Sequence, residues 1–226
     1  MKVLVPLDGS RLAEEVLERT LILYPGAALH LIHVLEGSAP SKAARVIGEK
    51  YLEEQRVGVS ARGHEVRWDL EAGPPAERIL VVAGEQRPDL LALATHGKGS
   101  GSGSVSQHLV RESHVPTLLI NPSLAHDGAW PPKRVLVPLD GSGFAERVLP
   151  YARRAISPGG VVILVEVLAP TDASKELGGA SSLAAARAEL EAEGHRVEVR
   201  VVEGDPGQEI VRLAGDADLV AMSTHG

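Results

Sequence analysis

Cysteine is absent from this chain, and its 226 residues include only two tryptophans, three tyrosines and one phenylalanine. Without cysteine the protein can form neither disulfides nor thiolate sites, and with no predicted signal peptide we expect a cytoplasmic location. So few aromatic residues do not make a base-stacking surface, and a net charge of −7 also argues against a nucleic-acid partner. No apolar run reaches the length of a membrane-spanning helix, so no membrane association is expected.

The sequence VLVPLDGS occurs twice, at 3–10 and at 135–142. Each copy begins with a short apolar run typical of a strand buried on both faces. The Asp-Gly pair that follows favours a turn, and Ser10 or Ser142 suits the N-cap of the next helix. Asp8 and Asp140 are therefore predicted at the carboxyl ends of strands, where open α/β sheets bind ligands. The alternative is that both carboxylates only shape their turns.

Strand-like and helix-like segments alternate throughout the first repeat. Further strands are predicted at 28–35, 64–70, 89–94 and 115–120, with helices at 43–62, 74–86 and 105–113 after a first helix that Pro25-Gly26 ends. The alternating pattern of 64–70 is typical of a strand near the sheet edge. In helix 43–62 we expect Val46, Ile47, Leu52 and Val57 to face inward. This order predicts a parallel, doubly wound sheet with right-handed crossovers.

A proline-rich, aperiodic stretch separates the two repeats. We predict domains at 1–122 and 133–226, joined by a linker at 123–132. The second repeat predicts helices at 143–156 and 183–193, a strand at 161–167, and a third helix that begins near Asp205-Pro206-Gly207. It ends at Thr224-His225-Gly226, which matches Thr95-His96-Gly97, so the last helix and strand of the first repeat have no counterpart in this sequence.

Several of these segments resemble the universal stress protein family, and the arrangement resembles its tandem two-domain members. The residues that carry the resemblance are V-P-L-D-G-S and T-H-G in both repeats, Gly103-Ser104-Val105, and the closing strand 115–120. It implies two Rossmann-like doubly wound parallel-sheet domains of the adenine nucleotide alpha hydrolase-like kind, the second without its last helix and strand. It also implies pairing through the last strands, either between two chains or between the two repeats as a pseudo-dimer.

The family resemblance further implies a stress-response protein that binds ATP, with or without Mg²⁺, at the carboxyl ends of its strands. Any hydrolysis is expected to be slow, because no base or water-positioning group is evident. Residues implied on the adenosine side are Pro6, Asp8, Val34 and Ala94, and those on the phosphate side are Gly97, Gly103, Ser104, Val105 and Ser106. In the second repeat the implied residues are Pro138, Asp140, Val167, Met222, Ser223 and Gly226.

The phosphate half departs from the pattern that ATP-binding members share, G-x2-G-x9-G-[S/T]. The interval from Gly97 to Gly103 is too short for it, and the glycine–serine alternation between them cannot meet the inner spacing. Glycines at such a loop let backbone N–H groups approach phosphate oxygens, and the following helix dipole favours their charge. A second branch of the family lacks this loop and does not bind ATP. The alternative function is therefore a non-nucleotide-binding protein that acts through dimer or partner contacts.

Other candidate groups have plainer explanations. His96 and His225 each lie between threonine and glycine in a turn, which favours shaping the loop over acid–base catalysis. Lys98 suits either a phosphate contact or a solvated loop position. His30 and His33 fall on opposite faces of one strand, so the sequence predicts no metal site.

Overall fold

The computed structural model describes residues 1–37, 39–95, 105–121, 130–168 and 179–223. The chain divides into two compact units, Met1–Ala125 and His126–His225. The predicted linker falls largely on residues 122–129, outside the described part, so its bounds stay a prediction. Within the described ranges, no helix is both long and apolar enough to span a membrane.

The first unit contains a parallel sheet of five strands flanked by helices. Its elements in chain order are β1 (Lys2–Pro6), α1 (Arg11–Leu23), β2 (Ala28–Leu35), α2 (Lys42–Ser60), β3 (Val66–Ala72), α3 (Pro75–Gln86), β4 (Leu90–Ala94), α4 (Val105–Glu112) and β5 (Thr117–Ile120). The strand order is β3-β2-β1-β4-β5. The parallel, doubly wound fold is thus confirmed, and β3 lies at an edge as its alternating pattern predicts.

The central strands are buried on both faces, as continuous apolar runs predict. Val3, Leu4 and Val5 are all inaccessible to solvent. One face of the sheet packs against α3 and α4, where Leu4 and Leu91 contact a cluster that includes Val82 of α3 and Leu109 of α4. The crossovers of α1 and α2 run in the opposite direction along the sheet, so these helices cover the other face.

The prediction for the inward face of α2 is wrong at three of its four positions. Leu52 is buried, but Val46, Ile47 and Val57 are 54%, 68% and 53% exposed. The helix instead turns Gly48, Leu52 and Val59 toward the sheet. The reason is steric: α2 approaches β3 so closely that a Cβ at Gly48 would lie 2.8 Å from Leu70 Cδ1. A larger residue there would have to displace the Leu70 side chain, so glycine lets this face of α2 lie close against β3.

The second unit repeats this plan with four strands in the described part. Its elements are β6 (Arg134–Pro138), a 3-10 turn at Ala145–Val148, α5 (Leu149–Ala155), β7 (Val161–Leu168), α6 (Gly179–Ala192), β8 (Arg196–Glu203), α7 (Pro206–Ala214) and β9 (Leu219–Val220). The parallel strands follow the order β8-β7-β6-β9. Its two faces bury separate clusters, one with Leu149 and Leu190 from α5 and α6, the other with Leu213 from α7.

The first helix of this unit begins later than predicted. Residues 143–156 were expected to form one helix, but the segment opens with the 3-10 turn and becomes α-helical only from Leu149. Pro150 has no N–H to donate to the Glu146 carbonyl, as a continuous α-helix would require. The Leu149 N–H bonds to that carbonyl instead, which is the tighter 3-10 pattern.

Candidate functional site

A crevice opens at the carboxyl edge of the first sheet, where β1 and β4 part. The two strands pair in the middle of the sheet, with Leu4 opposite Leu91. Beyond their ends, the Leu7 N–H donates to Ile32 O of β2 at 2.8 Å, whereas the Thr95 N–H donates to Ile120 O of β5 at 2.9 Å. The chains that leave β1 and β4 are therefore drawn to opposite sides. In open parallel sheets this divergence is where ligands bind.

Asp8 lies in the turn on the β1 side of this crevice. Its Oδ1 accepts a hydrogen bond from the Ser10 N–H at 2.9 Å, and Gly9 takes a positive φ of 74° that glycine adopts without strain. Ser10 then caps α1, its Oγ accepting from the Ala13 N–H at 3.2 Å. Asp8 thus does shape its turn, as the plainer explanation holds. An ionised carboxylate accepts hydrogen bonds and donates none, so Asp8 presents an acceptor at this edge of the sheet.

Two side chains from other elements brace this turn. His33 of β2 places Nδ1 2.6 Å from the Leu7 carbonyl oxygen, a distance at which the ring nitrogen donates a hydrogen bond. Tyr51 of α2 meets the His33 ring edge-on, with the ring centroids 5.7 Å apart. Burial raises the pKa of the Tyr51 phenol above its usual range, and the neighbouring Glu14 and Asp8 carboxylates raise it further. The Gly9 backbone lowers this pKa by a smaller amount. The phenol is therefore a neutral hydrogen-bond donor at physiological pH.

The β4 side of the crevice is tied to the amino end of α4. The Ser106 hydroxyl donates to the Ala94 carbonyl at 2.6 Å, which fixes the first turn of α4 beside the end of β4. The first N–H groups of a helix have no partner within the helix and carry a partial positive charge. The described part of the crevice therefore has a carboxylate on one side and a helix amino end on the other.

A cavity at this edge lies one strand away. It has a volume of about 390 Å³ and is lined by Glu36, Gly37, Gly73, Pro74 and Pro75, at the ends of β2 and β3. It does not reach Asp8 or Ser106. This cavity is therefore distinct from the crevice between β1 and β4. Residues 96–104, which follow β4 in the chain, lie outside the described part.

The predicted residues of the first repeat fall into three groups. Pro6, Asp8 and Ala94 end or follow β1 and β4 at the crevice, and Val105 and Ser106 begin α4. Val34 lies near the end of β2 and packs against the cluster on the α3–α4 face. The other predicted residues, Gly97, Gly103 and Ser104, lie outside the described residues, as do His96 and Lys98.

The second repeat reproduces the turn but not its surroundings. The Ser142 N–H donates to Asp140 Oδ1 at 2.9 Å, and Pro138 ends β6 as Pro6 ends β1. Asp140 is exposed, whereas Asp8 is half-buried. The place that His33 takes beside the turn is occupied by Glu166, because Val165 pairs with Pro138 as Ile32 pairs with Pro6.

The remaining predicted residues of the second repeat lie near the ends of β7 and β9. Val167 packs against the cluster beneath α7. Ser223 Oγ is 3.4 Å from the Ala145 carbonyl oxygen, and Met222 is 44% exposed. Gly226 and His225 lie outside the described residues. Among the residues that can be placed, no group of three His, Asp or Glu side chains could hold a metal ion.

Sequence reasoning missed the groups that brace Asp8 from a distance. Glu14 and Tyr51 carry no motif, and the periodicity of α2 gave no reason to single out Tyr51. His33 was weighed only as a metal ligand. A comparison of the two repeats would have singled out His33, because the equivalent strands β2 and β7 carry histidine at 33 and glutamate at 166 in the same position.

Known proteins share this architecture and sequence pattern. The universal stress protein family matches residues 1–121 and 131–226. The curated universal stress protein MJ0531 of Methanocaldococcus jannaschii is 23% identical over 137 residues, which is 53% of this chain and 81% of that protein. A universal stress protein structure from Archaeoglobus fulgidus superposes with a TM-score of 0.73 at 23% identity, covering 97% of this chain and 85% of that one. A putative universal stress protein from Pseudomonas aeruginosa gives 0.71 at 14% identity, with 97% and 80% covered. With both repeats matched over nearly their whole length, the chain belongs to the universal stress protein family, as a tandem member.

Proposed function

We propose that this protein binds an adenine nucleotide, ATP, in the crevice between the ends of β1 and β4 of the first repeat. The observation that carries the proposal is the divergence at Leu7 and Thr95, whose N–H groups bond to strands on opposite sides. A carboxylate, Asp8, lies on one side of this divergence, and a helix amino end lies on the other. Those two groups suit the two halves of a nucleotide, which has hydroxyls at one end and phosphates at the other.

Asp8 suits the nucleoside half. Its carboxylate lies beside the crevice, where it accepts a hydrogen bond from the Ser10 N–H, and an ionised carboxylate is an acceptor of the kind that ribose hydroxyls require. A phosphate beside this ionised carboxylate would be repelled unless a divalent cation lay between them. The ligand is therefore expected to present its sugar, not its phosphates, to Asp8.

The amino end of α4 suits the phosphate half. Unpartnered N–H groups and the helix dipole favour anions there, and the Ser106–Ala94 hydrogen bond holds that end beside the crevice. In the sequence that leads into α4, 97–104, every second residue is glycine, a composition that favours close approach of backbone N–H groups to phosphate oxygens. No described side chain near the crevice is arranged as a general base for water, so hydrolysis is expected to be slow at most.

Calorimetry with ATP and Mg²⁺ tests this proposal, with Asp8→Ala compared against Asp89→Ala. Asp89 is a matched control because its carboxylate accepts the Lys2 N–H at 2.7 Å, a comparable bond at the opposite edge of the same sheet. Asp8→Ala should weaken ATP binding about tenfold or more, since hydrogen bonds to charged groups contribute roughly 1.5–3 kcal/mol. Asp89→Ala should bind ATP as the wild type does.

Nucleotide analysis of the purified protein gives an independent reading. Adenine nucleotide should be released when the protein is denatured. The proposal fails if none co-purifies and calorimetry shows no heat at millimolar ATP. It also fails in its assignment of Asp8 if Asp8→Ala loses stability while its affinity stays unchanged.

A second candidate, a partner-binding protein that takes no nucleotide, is favoured by the short interval between Gly97 and Gly103 and by the edge strand β5. In the described sheet β5 pairs only with β4, and Leu119 on it is 41% exposed. Edge strands with exposed apolar residues pair readily with other strands. If this function holds, Leu119→Glu should dissociate the assembly in sedimentation experiments, and ATP should not bind to the wild type.

A further inference from the structure

The residue directly before Asp8 is bound to β2 through both of its backbone polar groups. The Leu7 N–H donates to Ile32 O at 2.8 Å, and the Leu7 carbonyl oxygen lies 2.6 Å from His33 Nδ1. Because a carbonyl oxygen only accepts hydrogen bonds, Nδ1 carries the proton in the second bond. The two bonds together fix the direction in which the chain leaves β1 and enters the Asp8 turn.

Helix α2 holds the His33 ring in place. Tyr51 meets the ring edge-on, and a Cβ at Gly48 would lie 3.3 Å from His33 Cδ2, so the helix backbone lies close to the imidazole. Side chains packed this closely have little room to rotate. The contacts therefore keep Nδ1 directed at the Leu7 carbonyl.

The second repeat keeps one of these bonds and lacks the other. The Leu139 N–H donates to Val165 O at 2.8 Å, so the first bond is the same. Glu166 takes the place of the histidine, and an ionised carboxylate accepts hydrogen bonds but donates none. Among the residues that the structure describes, no backbone N–H donates to the Leu139 carbonyl either. The backbone that leads into the Asp140 turn is therefore bound to β7 through one group instead of two.

The turns themselves do not account for a difference between the repeats. Asp8 and Asp140 each accept a hydrogen bond at 2.9 Å from the serine two residues later. Asp8 is nevertheless half-buried, whereas Asp140 is exposed. What differs is the attachment of the turn to the strand behind it. A carboxylate whose backbone is already fixed loses less conformational freedom when it binds a ligand.

We propose that His33 is a positioning residue for nucleotide binding, which directs the Asp8 carboxylate toward the nucleoside through its hydrogen bond to the Leu7 carbonyl. His33 does not touch the ligand. It acts through the turn, by fixing before binding a group that binding would otherwise have to order. This inference rests on the proposed nucleotide binding and names a residue that distinguishes the first repeat from the second.

Three substitutions separate the hydrogen bond from the packing of the ring. His33→Asn keeps an N–H donor near the position of Nδ1, and His33→Asp has the same shape but offers only acceptors, as Glu166 does in the second repeat. His33→Leu offers neither donor nor acceptor. His30→Leu is the matched control, because His30 is a buried histidine on the opposite face of the same strand, with Nε2 2.8 Å from Asp69 Oδ2.

Calorimetry with ATP and Mg²⁺ measures affinity, and urea unfolding measures stability in the same buffer. His33→Leu should bind ATP about five- to tenfold more weakly than the wild type, which is the effect of one lost hydrogen bond. His33→Asp should bind at least as weakly as His33→Leu, and His33→Asn should remain within about twofold of the wild type. His30→Leu should lose stability but bind ATP as the wild type does.

A double-mutant cycle with Asp8→Ala shows whether His33 acts through the carboxylate. In the Asp8→Ala background, His33→Leu should cause no further loss of ATP affinity, whereas its effect on stability should remain. A purely structural role for His33 would instead lower ATP affinity to the same extent in both backgrounds.

Equal ATP affinity in His33→Asn and His33→Asp would overturn the role of the hydrogen bond, and this comparison holds even if His33→Leu does not fold. Losses that add in full to that of Asp8→Ala, or an equal loss in His30→Leu, would overturn the positioning role. Each of these results would leave nucleotide binding standing. If the wild type binds no ATP, the proposed function fails and this inference fails with it.

Discussion

Two glycines of helix α2 should respond in opposite directions to the same substitution. A Cβ added at Gly58 meets no atom within 4 Å, whereas one added at Gly48 would lie 2.8 Å from Leu70 Cδ1 and 3.3 Å from His33 Cδ2. Alanine in a helix interior is about 1 kcal/mol more favourable than glycine when nothing else changes. Gly58→Ala should therefore stabilise the first domain by about 1 kcal/mol.

Gly48→Ala gains the same helix preference but must displace its neighbours. Overpacking a filled site costs about 1–3 kcal/mol, and part of this is relieved because Leu70 is a flexible side chain on an edge strand. The net expectation is a loss of about 1 kcal/mol, which separates the two variants by about 2 kcal/mol. Because His33 and Tyr51 belong to the same contact, Gly48→Ala should also weaken ATP binding, and Gly58→Ala should not.

Urea unfolding followed by Trp68 fluorescence measures this difference in the first domain. A Trp130→Phe background removes the other tryptophan, so the signal comes from β3. The two midpoints should lie on either side of the parent. If Gly48→Ala proves as stable as Gly58→Ala, then α2 does not approach β3 as closely as described, and the argument for close packing at Gly48 is refuted.

Two further predictions concern ion pairs on α2 and just beyond its end. Hydrogen bonds from Arg56 and then Trp68 lower the pKa of Glu53 from 4.5 to about 2. The stability that this carboxylate contributes should therefore be complete above about pH 4.5 and lost as the pH falls toward 2, so the urea midpoints of wild type and Glu53→Gln should converge over that interval. Equal differences at pH 6 and pH 3 would contradict this. Arg62 joins Glu18 of α1 through two bonds of 2.5 and 2.6 Å, but both side chains are about half exposed. Arg62→Ala should therefore cost only about 0.5 kcal/mol, and less in 1 M salt; a loss unaffected by salt would show that packing, not charge, is involved.

The fold could be predicted because its signals are local and occur twice. Apolar runs bounded by turn residues identified β1, β2 and β4, and Ser10 and Asp205 cap helices as their types predict. What failed depended on contacts between elements. Val46 and Ile47 are as apolar as a core residue but are exposed, and the face of α2 that lies against the sheet carries Gly48, where the helix and β3 approach closely.

The candidate site was predictable only in its motif residues. Asp8 and Ser106 belong to segments that a family pattern identifies, and the structure places them on either side of one crevice. Tyr51 lies on another helix, and its contact with His33, which braces the Asp8 turn, follows from the packing of α2 on β2 and β3. Such a contact leaves no periodicity or spacing in the sequence.

A crystal structure of the protein with ATP and Mg²⁺ tests the central claim most directly. The account predicts nucleotide density between the ends of β1 and β4 of the first repeat, with the ribose hydroxyls at hydrogen-bond distance from Asp8 and the phosphates at the amino end of α4. Nucleotide bound elsewhere, or phosphates beside Asp8 with the ribose turned away, would contradict it.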